Sequence, residues 1–373
     1  MRKLLVLSFI ALLLSCEKRS ESLITISDDK IEQVLLSKES SVKLISIKSE
    51  EPMEDLMTSE SLGFGDYMFL LSYSRMKLYC VKGDKVISVL NHRGRGPGEY
   101  TDILSYAFSE SDTTLYVCSS DYKLLKYKGF DFKSVGQCKT NIKFSTMRVI
   151  DKDKLFVKYA DLANSDNGIA IVSSKTGEII EKLLDFDYSS SYWGYSRDYY
   201  QKGDEIIFPV NSDYSFSICQ YSDGRMDTIQ QFEYNKQWQI PQSVIVTDRS
   251  DFNQQLSYTR YILDKNDRCI GGYYPMVNGR SITFWSLPLK NKTVTCIKNV
   301  YNGVSVKRNV YKIPGIIDNF VSPSFVWNNK FVKVFQGTKE SVIDDSTKMS
   351  PLGQEIIDMI DSQDGNPILM LFD

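Results

Sequence analysis

Apolar residues in this chain come in short runs of four to eight, rich in Val, Ile, Leu, Tyr and Phe. Polar clusters of Gly, Asn, Asp and Ser bound them. No long segment spaces its apolar residues at a helical period, so the pattern predicts an all-β protein. The runs fall into pairs. First members read YMFLLS (67–72), TLYVCS (114–119), KLFVKY (154–159), EIIFPV (205–210), CIGGYY (269–274) and KFVKVF (330–335). After a polar turn, most are followed by a second run: KLYCV (77–81), KLLKY (123–127), IAIVS (169–173), FSICQY (216–221) and SITFWSL (281–287).

The turns keep time. Those after the second runs start at Gly83, Gly129, Thr176, Asp223 and Lys290, giving three steps of 46, 47 and 47 residues and a longer fourth. The turns between first and second runs follow the same beat: Tyr73-Ser74, Asp121-Tyr122, Asp166-Asn167, Asp213-Tyr214 and Asn278-Gly279. A period of 40–50 residues carrying about four strands is the signature of a propeller blade. Six first runs predict a six-bladed β-propeller. KFVKVF lacks an immediate partner run, and NPILMLF (366–372) is expected to supply the missing inner strand, with one short helix around GQEIIDMI in between. The early run VKLISIK (42–48) is expected to become the outermost strand of that last blade, so that the N-terminal strand closes the ring and removes free edges. Residues 23–38 read as a short helical or irregular lead-in, and a large insertion is expected near 236–262, between blades four and five.

Phase then assigns the loops to faces. In a propeller the crossing between blades and the turn between second and third strands emerge on one face, around the mouth of the central channel. HRGRGPGEY (92–100) is therefore expected to run inward across that face from blade one to blade two. Its spacing fits neither G-x-x-x-x-G-K-[ST] nor G-x-G-x-x-G, and no helix follows to hold a phosphate. Gly94, Gly96 and Gly98 are expected to supply positive φ, Pro97 to fix a sharp crossing, and Glu99 to accept from loop N–H groups. Arg93 and Arg95 are the candidates for reaching a carboxylate or phosphate ligand. Arg75 and Arg280 lie in turns on the same face, with Asp121 and Asp213. The crossing DYSSSYWGYSRDYY (187–200) adds Tyr192, Trp193 and Tyr195, and the next crossing adds Trp238; these flat side chains suit sugar rings or a protein partner, or wedge between blades.

The N-terminus changes the picture of address. Met1-Arg2-Lys3, an apolar stretch over 4–14 and Ser15-Cys16 make a secretory signal too short to span a bilayer. Leu13-Leu14-Ser15-Cys16 has the form of a bacterial lipobox, which predicts lipidation at Cys16. Residues 1–15 then form the signal peptide, 16–40 the lipidated cysteine with its tether and lead-in, and 41–373 one propeller domain. The partner implied is a membrane, through the lipid anchor. Periplasmic and surface exposure both fit. Six cysteines remain, Cys80, Cys118, Cys138, Cys219, Cys269 and Cys296, with no C-x-x-C pair and mostly apolar neighbours, so buried free thiols are expected rather than zinc ligands. A net charge of −2 argues against a nucleic-acid partner.

The loop at 94–100 also carries a likeness. Gly94-x-Gly96-Pro97-Gly98-Glu99-Tyr100 after an outer strand resembles the G-x-GPGEY signature of the six-bladed, NHL-like β-propeller lipoproteins of Bacteroidetes. The turns GFDFKSVG and SDGRMDTI, the closing GNPILMLF and the lipobox are similar. The resemblance implies an outer-membrane or cell-envelope lipoprotein linked to glycan utilisation, with no established catalytic residue to carry over.

His92 is the only histidine, so a Ser-His-Asp or Cys-His site would have to use it, and a histidine-rich metal site is excluded by count. No catalytic residue, metal site or cofactor is assigned. The reading is a binding or interaction module whose ligand is a glycan, a peptide or an envelope protein. The alternative is a propeller lyase or glycoside hydrolase using carboxylates and arginines at the channel mouth.

Overall fold

In this computed structural model each first run becomes the second strand of a small antiparallel sheet. The structure describes residues 24–26, 31–57, 61–161, 166–186, 200–202, 205–211, 215–234, 257–264, 268–275, 283–288, 307–317, 324–328, 330–363 and 365–372. Three strands precede the repeat: β1 (Ile24–Ile26), β2 (Ile31–Leu35) and β3 (Lys43–Ser46). Blade 1 holds β4 (Leu62–Phe64), β5 (Tyr67–Ser72), β6 (Lys77–Lys82) and β7 (Lys85–Leu90). Blade 2 holds β8 (Ser105–Ser109), β9 (Thr114–Ser119), β10 (Lys123–Lys128) and β11 (Lys133–Lys139). Blade 3 holds β12 (Lys143–Asp151), β13 (Lys154–Asp161), β14 (Asp166–Ser173) and β15 (Ile179–Phe186). Blade 4 holds β16 (Tyr200–Lys202), β17 (Glu205–Asn211), β18 (Ser215–Ser222) and β19 (Arg225–Tyr234). Blade 5 holds β20 (Ser257–Asp264), β21 (Arg268–Pro275), β22 (Thr283–Pro288) and β23 (Lys307–Lys312). Blade 6 holds β24 (Phe325–Trp327), β25 (Lys330–Phe335), β26 (Ile368–Phe372) and, on its outside, β3.

The strands form because the runs are β-branched and aromatic, and the sheets pack face to face because both faces of the inner strands are apolar. Phe69, Leu71 and Leu78 of blade 1 meet Tyr106, Phe108 and Leu115 of blade 2 in one seam. Leu124 and Tyr116 of blade 2 meet Leu155, Val157 and Val172 of blade 3 in the next. Phe156 and Ile171 of blade 3 then meet Phe208 and Tyr221 of blade 4. The repeated turns have a common chemistry: Gly83, Gly129, Gly177 and Gly224 all take positive φ, between +64° and +76°, where a side chain would be strained.

The last blade is built as the pattern predicts. Residues 368–372 insert between β25 and β3, so the two chain ends share one sheet. NPILMLF thus provides the third strand of its blade. The intervening segment forms α1 (Lys339–Val342) and α2 (Pro351–Ser362). The Ser350 side chain accepts from the Gly353 N–H at 3.1 Å and Pro351 occupies the first turn, which starts α2 cleanly. Its buried face, Leu352, Ile356, Ile357 and Ile360, packs with Ile313 and Ile316 beyond blade 5 and with Phe331 and Ile368 of blade 6.

One expectation fails. The lead-in over 23–38 is neither helical nor irregular throughout. β1 lies parallel to β19 and β2 parallel to β23, each as a fifth strand on the outer edge of its blade. The chain then becomes β3 and passes on to blade 1, where the Lys48 N–H donates to the Asp84 carbonyl at 2.7 Å. The N-terminal segment is a belt touching the rims of blades 4, 5, 6 and 1. Its cause is edge chemistry: an outer strand presents unpaired N–H and C=O groups that any extended segment can satisfy. Residues 235–256, which hold most of the expected insertion, lie outside the described residues.

The closing blade is the most sensitive place to test packing. Leu369→Ala, at a fully buried position in the seam between blades 6 and 1, is expected to cost about 2–5 kcal/mol by chemical denaturation. Val135→Ser, at an exposed position of outer strand β11, is expected to stay within about 0.5 kcal/mol.

Candidate functional site

The glycine-rich stretch folds back on itself before it crosses. The Gly94 N–H donates to the Tyr100 carbonyl at 2.9 Å, and the Tyr100 N–H donates to the His92 carbonyl at 3.1 Å. Within the bend, the Glu99 carboxylate accepts from the Gly96 N–H at 2.7 Å. Only Gly98 of the three glycines has positive φ, +73°. Gly94 and Gly96 are needed for another reason: a Cβ at either would meet the Glu99 carboxylate. The expectation that all three serve positive φ is therefore corrected. Two of them make room for an acid that satisfies the loop from inside.

Tyr100 is fully buried, and its hydroxyl donates to the Met76 carbonyl at 2.7 Å. Burial pushes its phenol up to about 12, so it stays a donor at any physiological pH. The Gly98 N–H donates to Gln137 Oε1 at 2.8 Å, the Tyr127 hydroxyl donates to the Gly98 carbonyl at 3.0 Å, and the His92 ring stands edge-on to Tyr127 at 5.4 Å. Tyr127 belongs to β10 and Gln137 to β11, the outer half of blade 2. The bend thus occupies the outer seam between blades 1 and 2, and the inward crossing is made by residues 101–104. There Asp102 accepts from the Ser120 N–H at 2.7 Å and from Ser119 Oγ at 3.0 Å.

This placement moves two candidate residues. Arg93 and Arg95 are exposed, and neither forms an ion pair among the described residues, but they stand over the outer seam and not at the channel mouth. Arg75 lies on the predicted face, in the turn after β5, with its guanidinium paired to Glu54; that partner holds it above the usual arginine range. Asp121 sits in the matching turn of blade 2, tied to Lys123 at 2.8 Å. Cys16, Tyr192, Trp193, Tyr195, Trp238 and Arg280 lie outside the described residues.

The channel side of the face holds groups that sequence reasoning missed. Leu62, Ser105, Tyr106, Ser145, Thr146, Met147 and Arg148 line a small cavity half open to solvent. They come from β4, β8 and β12, the innermost strands of blades 1, 2 and 3. Leu62 and Ser105 begin their strands, so the cavity lies at the end where crossing chains enter. Arg148 is 4% exposed and donates through Nη1 to the Met147 carbonyl at 2.7 Å. Ser145 is the extra residue of a bulge in β12, where pairing with β13 slips between Phe144 and Thr146. The signal available in the sequence was the arginine inside the apolar run FSTMRVI, an unlikely tenant of a buried strand unless it has work to do.

Among the described residues the resolved carboxylate shifts share one direction: each is held below its ordinary value. For Glu51, Asp84 and Asp153 the first cause is a hydrogen bond from a lysine; for Asp112 and Asp121 burial pushes up, and hydrogen bonds outweigh it. A general acid would need the opposite shift. Burial pushes the Cys80 and Cys118 thiols up to about 12. Among the described residues no three His, Cys, Asp or Glu side chains converge as a metal site.

Comparison with known proteins agrees with this architecture. A family profile described as a 6-bladed beta-propeller matches residues 19–320. Among solved structures, a Bacteroides fragilis NCTC 9343 protein whose name proposes export superposes with a TM-score of 0.67 at 13% identity, over 92% of this chain and 99% of that one. BamB of Moraxella catarrhalis superposes with a TM-score of 0.42 at 8% identity, over 82% of this chain and 89% of that one. The first likeness shows the fold alone, and the second is too distant to carry more. No curated protein matches the sequence.

The bend can be tested by stability. Gly98→Val puts a branched side chain at positive φ and against Ser134 Oγ; it is expected to cost about 2–4 kcal/mol and several degrees of melting temperature. Arg95→Ala is expected to leave melting unchanged within about 0.5 kcal/mol. The reverse order would show that the arginine, and not the glycine, holds the bend.

Proposed function

The chain belongs to a family of six-bladed β-propellers, and from that premise we propose that it is an exported, lipid-anchored binding module of the bacterial cell envelope. Ligand engages the channel mouth on the crossing face. The observation that carries this reading is the cavity between the inner strands of blades 1 to 3, where hydroxyls and a buried guanidinium converge and, among the described residues, no carboxylate joins them. Such a lining gives directional contacts and no obvious proton donor, which is what recognition requires and hydrolysis does not. Among the described residues, the lyase or glycosidase alternative has no pair of carboxylates at that place to support it.

Export and anchoring rest on the N-terminal pattern and on the name of the Bacteroides fragilis protein of similar fold. Cys16 is the lipidated residue in this reading, and the polar residues after it lead to the belt on blade 4. GPGEY serves as the fold's bracing motif, with Arg93 and Arg95 available at the rim to a second surface. Tyr192, Trp193, Tyr195, Trp238 and Arg280 are, from the sequence alone, further candidates for contacting the same ligand. A glycan, a peptide or an envelope protein presenting polar groups fits the cavity.

Two experiments separate the parts. Cys16→Ser is expected to move the protein from the membrane fraction to the soluble fraction; continued retention on membranes rejects the anchor. For binding, a glycan and peptide array probed with the purified chain is expected to give ligands lost, by tenfold or more, in Ser145→Phe, which fills the cavity. Arg93→Ala/Arg95→Ala is expected to keep them. Binding lost in the rim variant and kept in the filled one would move the site to the outer seam.

A further inference from the structure

The outer strands of blades 1, 2 and 3 share an irregularity that the core does not need. In β7 the pairing with β6 joins Cys80 to Ser88 and then Val81 to Val86, so Ile87 is left out of the ladder. In β11 the partners of Lys126 and Tyr127 are Gly136 and Ser134, which leaves out Val135. In β15 the partners of Ile171 and Val172 are Glu181 and Ile179, which leaves out Ile180. Each is the second or third residue of its strand, so the three stand at equivalent places one blade apart along the rim. All are β-branched and apolar, and all are exposed: Ile87 42%, Val135 54% and Ile180 54%.

A bulge alone guards an edge against unwanted pairing. A polar residue in the bulge would guard it equally well, and one exposed Val or Ile would call for no explanation. The repetition does call for one, because three blades offer a branched apolar side chain to solvent at the same position. The edges beside these residues are also bare. On blades 4 and 5 the chain's own belt adds β1 and β2, parallel to β19 and β23, and on blade 6 it supplies β3. It reaches blade 1 at Lys48, whose carbonyl accepts from the Val86 N–H at 3.1 Å. Among the described residues nothing pairs with the outer edges of β11 and β15, and β7 has only the bridge to Lys48. β11 is exposed at six of its seven residues. The arc over blades 1 and 2 is basic as well. β7 and β11 carry Lys85, Lys133 and Lys139 and no acid, and none of these lysines is in a salt bridge among the described residues.

We propose that the bare arc of blades 1 to 3 is a docking rim for an extended, acidic segment of a partner protein. The segment lies along the rim as the chain's own belt does on blades 4 to 6. It pairs with the free edge of β11 and seats apolar residues against Ile87, Val135 and Ile180. Main-chain hydrogen bonds supply affinity in such strand addition, and the apolar contacts fix the register. Its acidic character follows from the lysines, which also repel the same edge of a second copy. This surface is separate from the channel mouth and does not depend on it.

The belt itself supplies a probe. Residues 23–36, LITISDDKIEQVLL, combine three acids and one lysine with apolar residues, and parts of this segment already lie along outer strands within the chain. Fluorescence anisotropy with this labelled peptide and the purified chain is expected to show saturable binding. Asp28→Lys/Asp29→Lys/Glu32→Lys in the peptide is expected to weaken it at least tenfold. In the protein, Ile87→Ser/Val135→Ser/Ile180→Ser and Lys133→Glu/Lys139→Glu are each expected to weaken it at least tenfold, with melting temperatures kept within about 2 °C. Hydrogen exchange is expected to slow in β11 when the peptide is bound. No binding, equal binding of the charge-reversed peptide, or unchanged exchange in β11 would overturn the proposal. So would binding kept in either rim variant, since the peptide would then be exchanging with the belt on blades 4 and 5.

Discussion

The pairing of β3 with β26 is the contact on which the rest depends. A ring of sheets packed face to face has no stable partial form, since an unclosed ring exposes an apolar face at each end. Joining Leu44 and Ile45 to Met370 and Leu369 in one ladder turns the chain's two ends into neighbours. It also buries Leu369 against blade 1 and Met370 against the helical insertion. Loop closure over almost the whole chain is entropically demanding but grows only slowly with length, so one short sheet can hold it. The belt from β1 to Lys48 strengthens this closure by covering successive rims.

Closure positions the functional groups by fixing the inner strands. Ser105 lies on a different blade from Ser145 and Arg148, yet the ring brings β8 and β12 side by side. The glycine-rich bend contributes at a distance. Its buried Tyr100 ties the turn after β5 to the end of β7, and its Gly98 is clasped by β10 and β11. That bracing sets the angle between blades 1 and 2, and so the width of the mouth they help to form. The stretch that looks most like a site in sequence is thus mainly a hinge pin. The channel chemistry falls to residues that look like strand.

Much of the architecture was legible because a propeller writes itself in turns. The glycines at 83, 129 and 177 recur on a beat, and the isolated runs at 42–48 and 366–372 have no other place to pair. What escaped had physical reasons. β1 and β2 are short, and parallel pairing on an outer edge uses backbone groups that leave no side-chain pattern. Phase along the repeat assigns a loop to a face, not to a radius, so the outward position of Arg93 and Arg95 could not be read. Arg148 and Lys158 sit in apolar runs, where alternation gives their sheet face only once the register is known. Asn167 looked like a turn residue, and that its amide finds no partner among the described residues is a property of packing alone.

The account stands or falls on where a ligand sits. A crystal of the protein soaked with a ligand found on the array measures this directly, by difference density. The account predicts density at the channel mouth, within hydrogen-bonding reach, about 3 Å, of the groups that line the cavity there, the Ser145 and Thr146 hydroxyls among them. An empty channel mouth, or density confined to the outer seam beside Arg93 and Arg95, would contradict it.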